Sequence, residues 1–236
     1  EEVSNGSFSQ EGAEQVTNGD FATDSDWTLL QATISNGKVT ISTQDGSYAS
    51  ARQFNSLVIG KTYIFTIDVD SVSIGSITVG NSDLNINSSG IYSGYYVSNS
   101  TTAEIKRNTF GSATDAVINS LSVKEVGQDW SLETGWSIGE DKAISDGSGS
   151  VPNTDLIQGN VFTSGKSYEV TLEIKDYVSG NLQLQNNTTN FPQSNGIHTI
   201  YSSTGSTSLI LRSLSFIGSI TNISVKEVGQ NWSFGD

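Results

Sequence analysis

The sequence predicts an all-β protein built of tandem antiparallel β-sandwich domains. Three observations lead there: a long internal repeat, period-two hydrophobicity, and a composition rich in Gly, Ser, Asn and Thr. Ile118-Asn119-Ser120-Leu121-Ser122-Val123-Lys124-Glu125-Val126-Gly127-Gln128-Asp129-Trp130-Ser131 returns 102 residues later, from Ile220 to Ser233, with ten of fourteen positions identical. Seven identities are consecutive, from Ser122 to Gln128, which biased composition does not produce by itself. Upstream, Gly60-Lys61-Thr62-Tyr63 matches Gly165-Lys166-Ser167-Tyr168, and Asp26-Trp27-Thr28-Leu29 matches Asp129-Trp130-Ser131-Leu132. The offset drifts between 102 and 106, which places the insertions in loops.

Taken in chain order, residues 1–14 form an N-terminal arm or linker, 15–126 a first β-sandwich unit, and 127–228 a second. Residues 229–236 read as the start of a truncated third unit, as expected of an excerpt from a longer array. The arm has its own echo: Val3-Ser4-Asn5-Gly6-Ser7-Phe8 returns thirteen positions later as Val16-Thr17-Asn18-Gly19-Asp20-Phe21. A leftover duplicated first strand and a docking arm or ordered linker are both open readings. Strand patterning is plain where Tyr63, Phe65, Ile67 and Val69 alternate with Ile64, Thr66, Asp68 and Asp70. The matched segment alternates Tyr168, Val170, Leu172 and Ile174 with Glu169, Thr171, Glu173 and Lys175. Leu121 with Val123, Leu182 with Leu184, Leu209 with Leu211 and Ile223 with Val225 continue the pattern between turn-forming clusters. No stretch of helical length shows an apolar stripe. Trp130 follows Val126 by only four positions, so a short linker with restricted orientation is expected.

At 236 residues there is room for two small cores and little space for a larger catalytic fold. The formal charge of −14 disfavours nucleic acid and anionic membrane as partners, because phosphate binding needs a cationic face. Cysteine is absent, which removes disulfides and thiolate metal sites. No apolar run approaches the roughly 18 residues of a spanning helix, so membrane insertion is not expected.

Asn18-Gly19-Asp20-Phe21, Trp27, Gly60-Lys61-Thr62-Tyr63 and the closing Ile118-Asn119-Ser120-Leu121-Ser122-Val123 together resemble the jelly-roll carbohydrate-binding modules found beside xylanases and cellulases. The second unit keeps the tryptophan, the Gly-Lys-Ser-Tyr strand and the closing strand but lacks the Asn-Gly-Asp-Phe element. Its Thr134-Gly135-Trp136-Ser137-Ile138 and the serial Val-Lys-Glu-Val endings resemble the tandem units of tailed-bacteriophage virion proteins. The carbohydrate-binding resemblance implies a structural calcium held by a Glu after Asn-Gly-Asp-Phe and an Asp opening the closing strand. Here Ala22, Asn119 and Thr221 stand at those places, leaving Asp20, Asp24 and Asn119 as the remaining calcium candidates in the first unit and no confident metal site or other cofactor.

Carbohydrate binding needs exposed aromatic rings that stack on sugar faces, with polar neighbours for the hydroxyls. Tyr48, Tyr92, Tyr95 and Tyr96 are the candidates in the first unit, and Trp136 and Tyr177, with Phe191, in the second. Core packing is the competing reading for each. Trp27, Trp130 and Trp232 recur in every copy and are expected to fill a structural slot beneath the first strand. His198, opposite Tyr92 in the alignment, has no nucleophile motif around it, and no catalytic residues are expected. The resemblance implies a non-catalytic structural or adhesive protein at a virion surface: a head fibre, capsid decoration or tail-associated fibre. Its partners would be other virion proteins, host surface glycans and, in a homo-oligomer, its own copies. The alternatives are the carbohydrate-binding region of a secreted bacterial polysaccharide-degrading enzyme and a cell-surface adhesin stalk.

Overall fold

The computed structural model describes residues 1–150, 154–203 and 205–229. The expected third copy, apart from Gly229, lies outside the described residues. Among the described residues every strand pairing is antiparallel, and the fold is all-β, as expected. It divides into two compact units, each a jelly-roll sandwich: Glu11–Val126, and Glu1–Gln10 together with the chain from Gly127 onward.

In the Glu11–Val126 unit the larger sheet runs Ala32–Ser35, Lys38–Thr43, Thr114–Val126, Thr62–Ile74, Gly90–Val97, with Glu11–Glu14 pairing onto Thr114–Val126. The smaller sheet runs Thr28–Leu30, Ser50–Gln53, Ala103–Arg107, Ile77–Val79. Alternation in sequence becomes two faces in space. Tyr63, Phe65, Ile67 and Val69 are buried, and they meet Val39, Ile41, Ile77, Ile105, Ile118 and Val123 in one core. In the other unit the same layers form a continuous bent sheet, because Ser167–Leu184 and Leu209–Val228 each replace two strands of the first. The two long strands bend together. Gly180 has φ 77° and Ser215 φ 55°, and a Cβ on Gly180 would overlap the Ser215 carbonyl.

The recurring motifs have mechanical reasons. The Tyr63 hydroxyl accepts the Val58 N–H at 2.8 Å and the Tyr168 hydroxyl accepts that of Thr163 at 2.8 Å, pinning the preceding loop. The lysine of each Gly-Lys-Thr/Ser-Tyr reaches the glutamate of its own Val-Lys-Glu-Val: Lys61–Glu125 at 3.2 Å and Lys166–Glu227 at 2.8 Å. Such exposed pairs contribute about 0–1 kcal/mol each, so they fix register more than stability.

The arm is the largest departure from the expected layout. Its boundary falls between Gln10 and Glu11, and its first ten residues belong to the second-repeat unit. The Asn-Gly-Asp-Phe element that this unit lacks in its own sequence is supplied by Asn5-Gly6-Ser7-Phe8. The correspondence holds atom by atom. Phe8 lies 5.2 Å from Trp130, as Phe21 lies 5.3 Å from Trp27. Trp130 Nε1 donates to the Asn5 carbonyl at 3.2 Å, and Trp27 Nε1 to that of Asn18 at 3.0 Å. The Gln158 side-chain amide brackets the Ser4 backbone at 2.9 and 2.8 Å, as Gln53 brackets that of Thr17 at 3.1 and 2.5 Å. The Gly6 carbonyl accepts from Ile223 N–H at 2.9 Å and the Gly19 carbonyl from Leu121 N–H at 2.8 Å. A Cβ on either glycine would overlap the backbone oxygen of Ile223 or Leu121, so only glycine fits. Phe8 and Phe21 even share a left-handed backbone, at φ 57° and 53°. That conformation is costly for a bulky residue and is sustained by full burial of the ring.

Carboxylates lock both segments. Glu1 accepts from Ser224 Oγ at 2.6 Å and Val225 N–H at 2.8 Å; Glu14 accepts from Ser122 Oγ at 2.6 Å and Val123 N–H at 2.7 Å. Burial acts against the charged form of Glu1, but the bonds from Ser224 and Val225 outweigh it and leave its pKa below the ordinary value.

Phe8→Ala is therefore expected to destabilise the second-repeat unit by about 3–5 kcal/mol and spare Glu11–Val126, with Phe21→Ala doing the converse. Hydrogen exchange resolved along 114–126 and 209–228 reads both. Because the Glu1 pKa is depressed in the folded state, its contribution is present above the ordinary carboxylate pKa and disappears as pH falls through the lowered value. Protection of the Val225 amide should differ between wild type and Glu1→Gln at neutral pH, and the two should converge in acid.

Candidate functional site

Period two along Gly90–Val97 sends Tyr92 and Tyr96 toward the core and Ile91, Ser93, Tyr95 and Val97 outward. Gly94 leaves room for Phe65 beneath it, since a Cβ there would sit 2.9 Å from that ring. The outward residues pair with the polar face of Thr62–Ile74: Ile91 with Asp68, Ser93 with Thr66 and Tyr95 with Ile64. Thr66 and Ser93 join hydroxyls at 2.9 Å.

The second-repeat unit reproduces this ladder. Ile197 pairs with Glu173, Thr199 with Thr171 and Tyr201 with Glu169, the threonine hydroxyls meeting at 2.9 Å. Tyr201 is 65% exposed, and its hydroxyl donates to Glu169 at 2.8 Å, a bond that raises the phenol pKa. Ile91 and Ile197 are each 73% exposed. Each unit thus presents an outward strip of one aliphatic, one hydroxyl pair and one tyrosine, with a carboxylate opposite the aliphatic. An aromatic face takes the C–H face of a sugar, and flanking hydroxyls and carboxylates take its hydroxyls.

The predicted site residues scatter. Tyr95 lies on this strip. Tyr92 is on the opposite face, packed on the core with its hydroxyl 2.7 Å from Ser88 Oγ. Trp136 is a core residue: its Nε1 donates to the Thr154 carbonyl at 2.8 Å and its ring packs near Phe216, leaving no face for a ligand. Tyr177 leans on the same Phe216 ring and donates to the Gly180 carbonyl, and Phe191 is buried. Tyr48 lies in the loop just before Ser50–Gln53 of the smaller sheet, its hydroxyl 2.5 Å from Glu104. Tyr201 was missed, although aligning Gly196-Ile197 with Gly90-Ile91 already set it opposite Tyr95.

Of the calcium candidates, Asp20 accepts the Ala22 N–H at 3.3 Å and Asn119 sits at a bulge of Thr114–Val126. Among the described residues no three His, Cys, Asp or Glu side chains gather as a metal set. His198 Nε2 is engaged by the Ser194 carbonyl at 2.8 Å. The carboxyls with displaced pKa values, Glu1, Asp45, Asp146 and Asp176, all move down, away from what a general acid requires.

No protein-family description matches the sequence, and no curated protein does. Among solved structures, the chain is similar to the N-terminal CBM22-1-CBM22-2 tandem domain of Paenibacillus barcinonensis Xyn10C. Identity is 8%, coverage is 93% of this chain and 99% of that one, and the TM-score is 0.39. A CBM4 structure matches at 18% identity over 52% of this chain and 99% of that one, with a TM-score of 0.28. HutD from Pseudomonas fluorescens SBW25 matches at 10% identity over 86% and 96%, with a TM-score of 0.17.

Trp136→Ala should cost about 3–5 kcal/mol through the core, whereas Tyr201→Ala should stay within about 0.5 kcal/mol of wild type. Denaturant unfolding of the two variants checks this directly.

Proposed function

We propose that the chain is a non-catalytic structural and adhesive protein whose sandwiches contact surface glycans through the outward strips holding Tyr95 and Tyr201. The repetition of the strip carries the reading. Ile91, Ser93 and Tyr95 correspond in place to Ile197, Thr199 and Tyr201, although this surface is free to vary without cost to either core. A large exposed aliphatic beside a tyrosine is a poor choice for solubility alone and a good one for stacking. Two such strips in one chain add avidity to individually weak sugar contacts. The setting at a bacteriophage virion surface, as a head fibre, capsid decoration or tail-associated fibre, is supported by the resemblance of the tandem units and their Val-Lys-Glu-Val endings to virion proteins.

Glycan-array binding by the intact chain tests the recognition half. Tyr95→Ala with Tyr201→Ala should lower binding at least tenfold with the fold intact; retention of full binding would move the site elsewhere. Mass spectrometry of purified particles tests the setting. The chain should be present at high copy number, and its absence from particles would end the virion reading.

A further inference from the structure

We infer that the smaller sheet of the Glu11–Val126 unit carries a second binding site, distinct from the tyrosine strips and selective for a carboxylated polysaccharide. Ser50–Gln53 pairs with Ala103–Arg107 so that Arg52 lies opposite Glu104 and Ser50 opposite Lys106. Ala51 and Ile105 point into the core, which leaves Arg52, Glu104 and Lys106 on the outer face. Arg107 closes the strand. The Arg52 and Arg107 guanidinium carbons lie 5.5 and 5.6 Å from the centre of the Tyr48 ring. Arg52 also lies 5.7 Å from the Phe54 ring and Arg107 5.1 Å from that of Phe110.

Two cations, Arg52 and Lys106, thus share one carboxylate, and Arg107 beside them donates through Nη1 to the Thr109 carbonyl at 2.6 Å, in a chain whose net charge is −14. That carboxylate is already engaged, because Glu104 Oε1 takes the Tyr48 hydroxyl. Arg52 Nε stands 3.7 Å from Glu104 and Lys106 Nζ 3.5 Å, distances of attraction without a good hydrogen bond. Arg52 Nε and Arg107 Nε are buried without a hydrogen-bond partner among the described residues. An unmet buried guanidinium donor is costly unless something completes it. Above these cations sit rings with open faces: Phe110 is 92% exposed and Phe54 55%.

The second repeat is the internal control. Where the first has Ser50 opposite Lys106, it has Asp155 opposite Arg212, closed as a two-pronged ion pair with both contacts at 2.7 Å. Where the first has Arg52 opposite Glu104, it has Ile157 opposite Ile210. The scaffold therefore does not need cations at the Arg52 and Lys106 positions, and in the first unit neither closes on a carboxylate at hydrogen-bonding distance. Exposed phenyl rings stack on the C–H faces of sugars, while a guanidinium and an ammonium at adjacent ladder positions receive a carboxylate. A uronic-acid polymer offers both at every residue.

The test uses the intact chain with polygalacturonate, carboxyl-reduced polygalacturonate, dextran sulfate and polyglutamate as probes in affinity electrophoresis and calorimetry. Polygalacturonate should bind, weaken with salt, and weaken at least tenfold with Arg52→Gln plus Lys106→Gln. Phe110→Ala, at a position too exposed to disturb the fold, should weaken it about fivefold, and reduction of the carboxyls should abolish it. Tyr95→Ala and Tyr201→Ala should leave it unchanged, which separates this site from the proposed strips. Failure of polygalacturonate to bind, indifference to Phe110→Ala in folded protein, or equal binding of polyglutamate or dextran sulfate would overturn the inference.

Discussion

The structure depends on how each sandwich closes its first edge. A β-sandwich whose long closing strand lacks a cover leaves backbone donors and acceptors unpaired and one end of the core wet. Both units meet this with the same short device: a carboxylate on the closing strand, a glycine carbonyl on that strand's bulge, and a phenylalanine held against a tryptophan. In the first unit the device is local in sequence. In the second it comes from the far end of the chain, so that unit is completed only when residues 1–10 return to it. Folding of the second-repeat unit thereby requires closing a loop longer than a hundred residues, at an entropic cost that grows slowly with length.

Much of this was legible in the sequence, and what was not legible was non-local. The alternation at Tyr63–Val69 and Tyr168–Ile174 reports burial directly, because side-chain direction is fixed by the strand itself. The tryptophan slots at Trp27 and Trp130 followed from recurrence, and both rings are buried. The echo of Val3–Phe8 in Val16–Phe21 was equally visible, but nothing in a linear pattern says which core a duplicated segment joins. Only the vacancy in the second unit pointed to it. The fusion of two strand pairs into Ser167–Leu184 and Leu209–Val228 was also hidden, since a bend at Gly180 against Ser215 resembles an ordinary turn in sequence.

The surfaces divide along the same line. The Ile-hydroxyl-Tyr strip repeats in both units, and the strand Gly90–Val97 turns Tyr92 inward and Tyr95 outward, which composition could not separate. Trp136 was a reasonable ligand candidate because it lacks a counterpart in the first unit, but absence of a counterpart also describes a core that is packed differently. The cationic and aromatic cluster around Tyr48 has no sequence signature, because Arg52 meets Glu104 and Lys106 only through strand pairing. What the units share is architecture and one face; what separates them is the opposite face.

The central claim is that the N-terminal segment is part of the second-repeat core. Nuclear Overhauser contacts in the intact chain, with phenylalanine and tryptophan selectively labelled, test it most directly. Cross-peaks between Phe8 and the Trp130 indole, matched by those between Phe21 and Trp27, are the predicted result. Phe8 resonances at random-coil positions, with no contact to Trp130, would contradict it.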